Sequence, residues 1–382
     1  MAKKKAKTSK KRTTRAAPGD SPKTRLETPA PLPLDRILGQ KRALATIDNA
    51  LRSGRVHHAW IFHGPSGVGK FTTALAFAGV LLDPTSAVGL TGRFAPDPDS
   101  PVQQMLARGA HPDLHVVVKE LARFSADASV RSRKLASIPR GVIDEHLIGP
   151  ATLRASVQPG GLASKVFIVD EAELMGGVVQ NAVLKTLEEP PEGTVIILVT
   201  SSEERLLPTI RSRCQRVTFP PLDEEAMDRW LASSGLALED RERDWLVRSS
   251  GGSPGRLLRA HEGGMYAWRQ GVGPMLEELD RGGYPVTLAS AMSSYVDEWA
   301  KGWVKQGDPL GENRSKDNAN RIGARRMLSL VAEHYREQLT RDAERAAEAI
   351  ERVAQAERTL GANVQVQFVM EELVAGLVWE RG

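Results

Sequence analysis

The chain has 382 residues, 41% of them hydrophobic, with one cysteine and a formal net charge of +5. That length accommodates two or three domains with a sizeable core. The single Cys214 excludes an internal disulfide, and no apolar run approaches the roughly 20 residues of a membrane helix, so neither an oxidising compartment nor a bilayer is expected. The charge is uneven: residues 1–27 carry ten Lys or Arg against Asp20 and Glu27, about +8, which leaves about −3 for the rest.

Residues 1–30 are mostly Lys, Arg, Thr, Ser, Ala and Pro. They cannot bury enough apolar surface to offset ordering, which predicts a disordered basic arm. Its lysines lead into no apolar stretch, so it does not read as a signal peptide. Two uses stay open, a solubilising tail or salt-dependent contact with nucleic-acid phosphates. Lys41 to Leu51 has helical spacing, with Leu44, Ile47 and Leu51 on one face. Then comes the apolar run Ala59-Trp60-Ile61-Phe62, the turn Gly64-Pro65-Ser66-Gly67-Val68-Gly69-Lys70, and the helical stretch from Thr72 to Phe77.

Strand, glycine-rich loop and helix form the context of a phosphate-binding P-loop. Gly64, Gly67 and Gly69 let backbone N–H groups cradle phosphate oxygens, the helix adds its positive end, and Lys70 would reach the terminal phosphates. One position departs from the pattern. The residue after the lysine should be Ser or Thr, whose hydroxyl holds Mg²⁺; it is Phe71. Thr72 is adjacent, but one helical step turns a side chain about 100°. ATP or ADP with Mg²⁺ is therefore expected, weakened by Phe71.

Residues 83–112 read as mostly loop and 120–140 as polar and irregular, with a short strand at Leu114-His115-Val116-Val117-Val118 between them. Val142 to Ile148 reads as a helix that Gly149-Pro150 interrupts. Lys165 to Val169 is a buried strand delivering Asp170 and Glu171 at its C-terminal edge, where an α/β sheet places metal and water chemistry. Asp170 would hold Mg²⁺ through water and Glu171 would polarise the attacking water. Val179, Val183 and Leu187 share a helix face that Pro190-Pro191 ends. Thr194 to Thr200 is another buried strand, with Thr200 a candidate γ-phosphate sensor. Alternating strands and helices predict an α/β domain with a parallel sheet covered on both faces. From Asp223 the β pattern stops. Gly251-Gly252-Ser253-Pro254-Gly255 reads as a turn and N-cap before Arg256. Ile350, Val353 and Leu360, then Val366, Val369, Met370, Leu373 and Leu377, mark packed helices.

The segments Leu38-Gly39-Gln40, Val56 to Gly64, the P-loop, His111-Pro112-Asp113, Val169-Asp170-Glu171-Ala172, Leu184 to Pro191, Thr209-Ile210-Arg211-Ser212-Arg213-Cys214 and Ala356 to Leu373 occur in the order seen in bacterial clamp-loader ATPases. Over roughly residues 34–377 the chain resembles the delta-prime subunits of DNA polymerase III. The resemblance implies an AAA+ RecA-like nucleotide-binding core (31–219), a helical lid (220–264) and a helical oligomerisation collar (265–382). It implies a cytoplasmic hetero-oligomer with gamma/tau and delta subunits that loads the sliding clamp on primer-template DNA, as part of the DNA-directed DNA polymerase holoenzyme. It also implies that Arg213 projects into a neighbour's ATP site, where a guanidinium stabilises phosphoryl charge. Arg256 takes the place of a γ-phosphate contact. Cys214 reads as a small buried residue.

Phe71 fits a stator that donates Arg213 and turns over little ATP itself; the intact pair Asp170-Glu171 argues the other way, but a retained base does not replace the missing metal-binding hydroxyl. Many relatives carry a four-cysteine zinc module after the P-loop helix. Residues 83–110 contain no cysteine, and His111 with Asp97 and Asp99 makes no convincing tetrahedral set, so no zinc and a remodelled loop are expected. Two alternatives remain: a gamma/tau-type motor, against which Phe71 speaks, and a stand-alone AAA+ regulator, which would lack the collar-like segment 350–377. No recognition-helix or zinc-finger signature supports sequence-specific DNA binding.

Overall fold

The computed structural model describes residues 28–131, 135–157, 160–306, 315–362 and 364–378. The arm expected over residues 1–30 lies almost wholly outside the described residues. The strands are β1 (Ala59–His63), β2 (Ala87–Val88), β3 (Phe94–Ala95), β4 (Leu114–Val117), β5 (Lys165–Val169), β6 (Thr194–Thr200) and β7 (Gln215–Thr218). Five of them form one sheet in the order β4-β5-β6-β1-β7 with every pairing parallel, Ile61 lying opposite Leu198 and Phe167 opposite Ile196.

The sheet is buried on both faces, which is why β5 and β6 are apolar at nearly every position rather than alternating. Alternate residues feed two cores. Trp60, Phe62, Ile168 and Ile197 pack with the helices Lys41–Arg52 and Lys70–Leu82. Ile61, Phe167, Val169 and Leu198 pack on the other face with the helix Gly177–Glu188 and residues around Val142 and Leu147. Three helices follow, Glu224–Ser234, Asp240–Ser250 and Pro254–Glu262, and their Met227, Trp245, Leu246 and Leu257 join the first core. The remaining five, Met265–Asp280, Leu288–Lys305, Lys316–Arg336, Ala343–Gly361 and Val366–Leu377, enclose a separate apolar core built around Val272, Met292, Met327, Val353 and Val369.

Two local readings change, and one strand is added to them. Residues 83–112 are more ordered than a loop: β2 and β3 pair antiparallel and a helix runs Pro101–Ala107. Asp83 organises them, accepting bonds from the Thr85 amide and hydroxyl (2.9 and 2.7 Å), Ser100 Oγ (2.5 Å) and Gln103 Nε2 (2.9 Å). Such a polar hub leaves no hydrophobic periodicity to read. Second, Pro150 does not break its helix. The turn Asp144–Ile148 widens to i→i+5 bonding, with the Gly149 amide donating to Asp144 O, and the helix continues Gly149–Thr152. The wide turn relieves the clash that a proline ring makes with the carbonyl four residues back. The added strand, β7, is an edge strand with only Val217 buried, too short and too polar to show in the pattern.

Candidate functional site

β1 ends at His63 and the chain turns through Gly64, Gly67 and Gly69, whose φ angles are 144°, 81° and 95°, before the helix Lys70–Leu82 begins. Gly67 is required on two grounds. Its φ is left-handed, and a Cβ would meet Ser253 Oγ at 2.6 Å and Gly255 Cα at 2.9 Å. The loop is fastened from both sides. Buried Gln40 donates through Nε2 to Val68 O (3.1 Å) and Pro220 O (2.9 Å). Ser253 Oγ donates to Ser66 O (2.8 Å) and the Gly255 amide to Gly67 O (2.9 Å).

The loop, the acidic end of β5, the end of β6 and the helix Pro254–Glu262 surround a cleft of ≈ 740 Å³. Lys70 is buried and bends back over its own loop, donating to Gly64 O (2.7 Å) and Pro65 O (2.6 Å). Burial lowers its pKa, against the pull of Glu173 and Asp170. Asp170 is pushed up to about 6, chiefly by burial, with Glu171 and Glu173 adding repulsion and the Glu171 amide bond and Lys70 opposing. Glu171 has φ 50°, and its carboxylate meets Lys119 Nζ at 2.5 Å, turned toward the β4 side. Thr200 is buried, and its hydroxyl accepts from the Ser202 amide at 3.1 Å.

Phe71 lines this cleft and also packs against the first core, so the position carries an anchored ring. Thr72 lines the cleft as well, beyond the reach expected from its helical step. The Thr73 hydroxyl is committed to Gly69 O at 2.8 Å. Sequence reasoning missed Glu173, a third cleft carboxylate. Burial raises its pKa, but hydrogen bonds from Ser201, its own amide and Thr200 outweigh that and leave it lowered. Its place two residues after the Asp170-Glu171 pair was the available signal.

Arg256 is not on the cleft. Pro254, Gly255, Leu258 and Arg259 form the cleft-facing stripe, at i, i+1, i+4 and i+5 of the helix. Arg256 falls on the neighbouring stripe with Ala260 and faces a different recess. Arg259 is the arginine at the P-loop, its Nη2 3.5 Å from Ser66 Oγ. Arg213 is also away from its own cleft. It is exposed just before β7, with Nε 2.7 Å from Glu188 Oε1 and Nη1 donating to Thr209 O at 2.9 Å. Beside it, burial pushes the Cys214 thiol up to about 12, which leaves it un-ionised and unreactive at neutral pH. His111 and Asp113 serve the backbone: His111 Nδ1 accepts from the Asp113 amide (3.2 Å), and the Asp113 carboxylate accepts from the amides of Ser156 (2.8 and 3.0 Å) and Val157 (2.9 Å).

A parallel sheet ordered β4-β5-β6-β1-β7, a P-loop on β1, acids on β5 and a helical unit docked on the loop together define a P-loop core of the AAA+ type. Residues 39–223 match the family described as DNA polymerase III, delta subunit. The chain is 33% identical over 227 residues to the delta' subunit of DNA polymerase III from Pseudomonas aeruginosa, covering 58% of this chain and 62% of that one. It is 32% identical over 228 residues to the gamma/tau subunit from Mycobacterium tuberculosis, covering 59% of this chain and 36% of that one. The matches thus span less than two thirds of either relative. Among solved structures, a DNA polymerase III gamma subunit-related protein from Thermotoga maritima aligns over 88% of this chain and 98% of its own, at 16% identity and TM-score 0.38. Across residues 39–223 the chain is thus similar to subunits of DNA polymerase III, delta' and gamma/tau among them. Among the described residues no helix is long and apolar enough to cross a membrane.

Proposed function

We propose that the chain is the delta-prime, stator-like subunit of a clamp loader: it binds nucleotide weakly or unproductively and supplies Arg213 to a neighbouring ATPase. The observation that carries this is Phe71, an anchored ring where a metal-binding hydroxyl belongs. The loop glycines, Lys70, Thr72, Thr200 and Arg259 make a cleft whose size and donors fit a nucleoside di- or triphosphate. Its donor set does not fit a conventional Mg²⁺ site, so no hydrolytic step is assigned to this chain.

Arg213 supports the donor half of the proposal. It is exposed, remote from its own cleft, and its partner Glu188 is itself exposed, so the pair is weak and can exchange for a phosphate. In this reading the three helices from Glu224 to Glu262 are the lid and the five from Met265 are the collar through which the hetero-oligomer forms with gamma/tau and delta subunits. The sliding clamp and primer-template DNA are then its substrates.

The test is DNA- and clamp-stimulated ATPase of a complex reconstituted with the organism's motor and delta subunits, comparing wild type with Arg213→Ala. A loss of about 10³-fold in turnover with assembly intact is expected for a finger acting in trans. Unchanged turnover in an assembled complex would remove the assignment. A gamma/tau-type motor is the second reading, favoured by the intact trio Asp170, Glu171 and Glu173 and by an identity to gamma/tau similar to that with delta'. ATP turnover by the isolated chain would select it.

A further inference from the structure

A second recess of ≈ 480 Å³ opens between the helices Asp240–Ser250, Pro254–Glu262 and Lys316–Arg336. Four arginines line it. Arg256 and Arg259 come from the shorter helix, Arg325 and Arg326 from the long one. No carboxylate lies within 4.0 Å of any of the four guanidinium groups among the described residues. Glu333, also on the wall, is taken by Arg336 at 2.8 Å. The floor is apolar, formed by Trp245, Met265, Ile322 and Leu330.

Such crowding is costly without a counter-charge. Burial lowers the pKa of Arg259 and of Arg326. Repulsion lowers them further, from Arg256 on the first and from Arg259 on the second, while Glu262 alone opposes it. A solvated surface would let four long side chains splay apart. Two of them, Arg326 and Arg259, have a fixed contact, while Arg256 and Arg325 are exposed. Arg326 lies over the Trp299 ring, 4.5 Å from its centroid, and passes where Gly263 has no Cβ to obstruct it. Arg259 is drawn to Ser66 Oγ.

We propose that this recess is a binding site for a small phosphate-bearing anion. Guanidinium forks pair bidentately with phosphate oxygens, and several converging on one point are the arrangement that a compact polyanion matches. The volume is that of a small-ligand pocket, too confined for a duplex. Because Ser66 and Arg259 border both this recess and the nucleotide cleft, an anion bound in one alters the electrostatics of the other.

The test uses the full chain with Lys70→Ala, so that the P-loop no longer competes, titrated calorimetrically with inorganic tripolyphosphate at low salt. Saturable one-site binding is expected. It should weaken at least tenfold in Arg256→Ala/Arg325→Ala, weaken less in Arg256→Lys/Arg325→Lys, and stay unchanged in Arg358→Ala, an exposed arginine outside both recesses. Arg256 and Arg325 are exposed, so their truncation leaves the fold intact, which a thermal melt verifies. Absence of saturable binding overturns the proposal, as does equal affinity in the double alanine variant. A single-stranded oligonucleotide provides the second arm. If it binds through Arg256 and Arg325 and tripolyphosphate does not displace it, the occupant is nucleic acid and the small-anion site is refuted.

Discussion

Replacing Asp170 with asparagine should stabilise the unliganded protein, and only above pH 4. The carboxyl moves from 3.8 to about 6 on folding, chiefly through burial. A raised acid pKa means that the folded state holds a proton which the unfolded chain has already released, so stability falls as pH rises from about 4 to about 6. Two units at about 1.4 kcal/mol each put the cost of the ionised form near 3 kcal/mol at pH 7.5. Asparagine has nearly the shape of the protonated acid and keeps an oxygen for the Glu171 amide, now 3.0 Å from Asp170 Oδ1. The difference between variant and wild type should therefore be close to zero at pH 4 and reach about 3 kcal/mol by pH 7.5. Urea unfolding of both proteins at half-unit pH intervals measures it. Equal midpoints at all pH values, or a variant less stable at pH 7.5, would refute the burial argument and with it the view that this acid is maintained against the fold's own preference.

Phe71→Thr should create a Mg²⁺ dependence: wild-type ATP affinity should be indifferent to replacing Mg²⁺ by EDTA, whereas the variant's should drop tenfold or more in equilibrium titrations, and it should lose about 1–3 kcal/mol of stability with the ring's packing. A wild-type affinity already sensitive to EDTA would contradict the role given to Phe71. Ser253→Ala removes both a helix cap and the bond to Ser66 O, and should cost about 1–2 kcal/mol in chemical denaturation; a cost below a few tenths would mean that the lid helix is held by other contacts. Asp113→Ala leaves the amides of Ser156 and Val157 without an acceptor and should cost about 2–4 kcal/mol, with Asp113→Asn intermediate. Equal losses for both would show that the bonds are not what matters.

The features legible in the sequence were those whose cause is local. β1, the P-loop and the helix Lys70–Leu82 follow from an apolar run, a glycine turn and a stretch rich in Ala and Leu within 25 residues. β5 and β6 are runs of buried residues whose ends carry their own acids and hydroxyls. Ser253 as N-cap and Pro190-Pro191 as a stop are equally short-range. What escaped depends on neighbours distant in the chain. β7 is a strand because β1 offers it an edge. Whether Arg256 or Arg259 meets the P-loop is decided by the rotation of one helix, which Leu257 sets by burying in a core that no local pattern reveals. Glu173 becomes a site residue only because β6 brings Ser201 beside it.

The seam between the loop and the helix Pro254–Glu262 has a mechanical consequence. Gly255 and Ser253 hold the carbonyls of Gly67 and Ser66, and their helix ends at Glu262, where Gly263-Gly264 turns the chain into the helix from Met265 and the five-helix bundle. A phosphate that rotates the peptide planes of the loop must either break these two bonds or drag the helix with it.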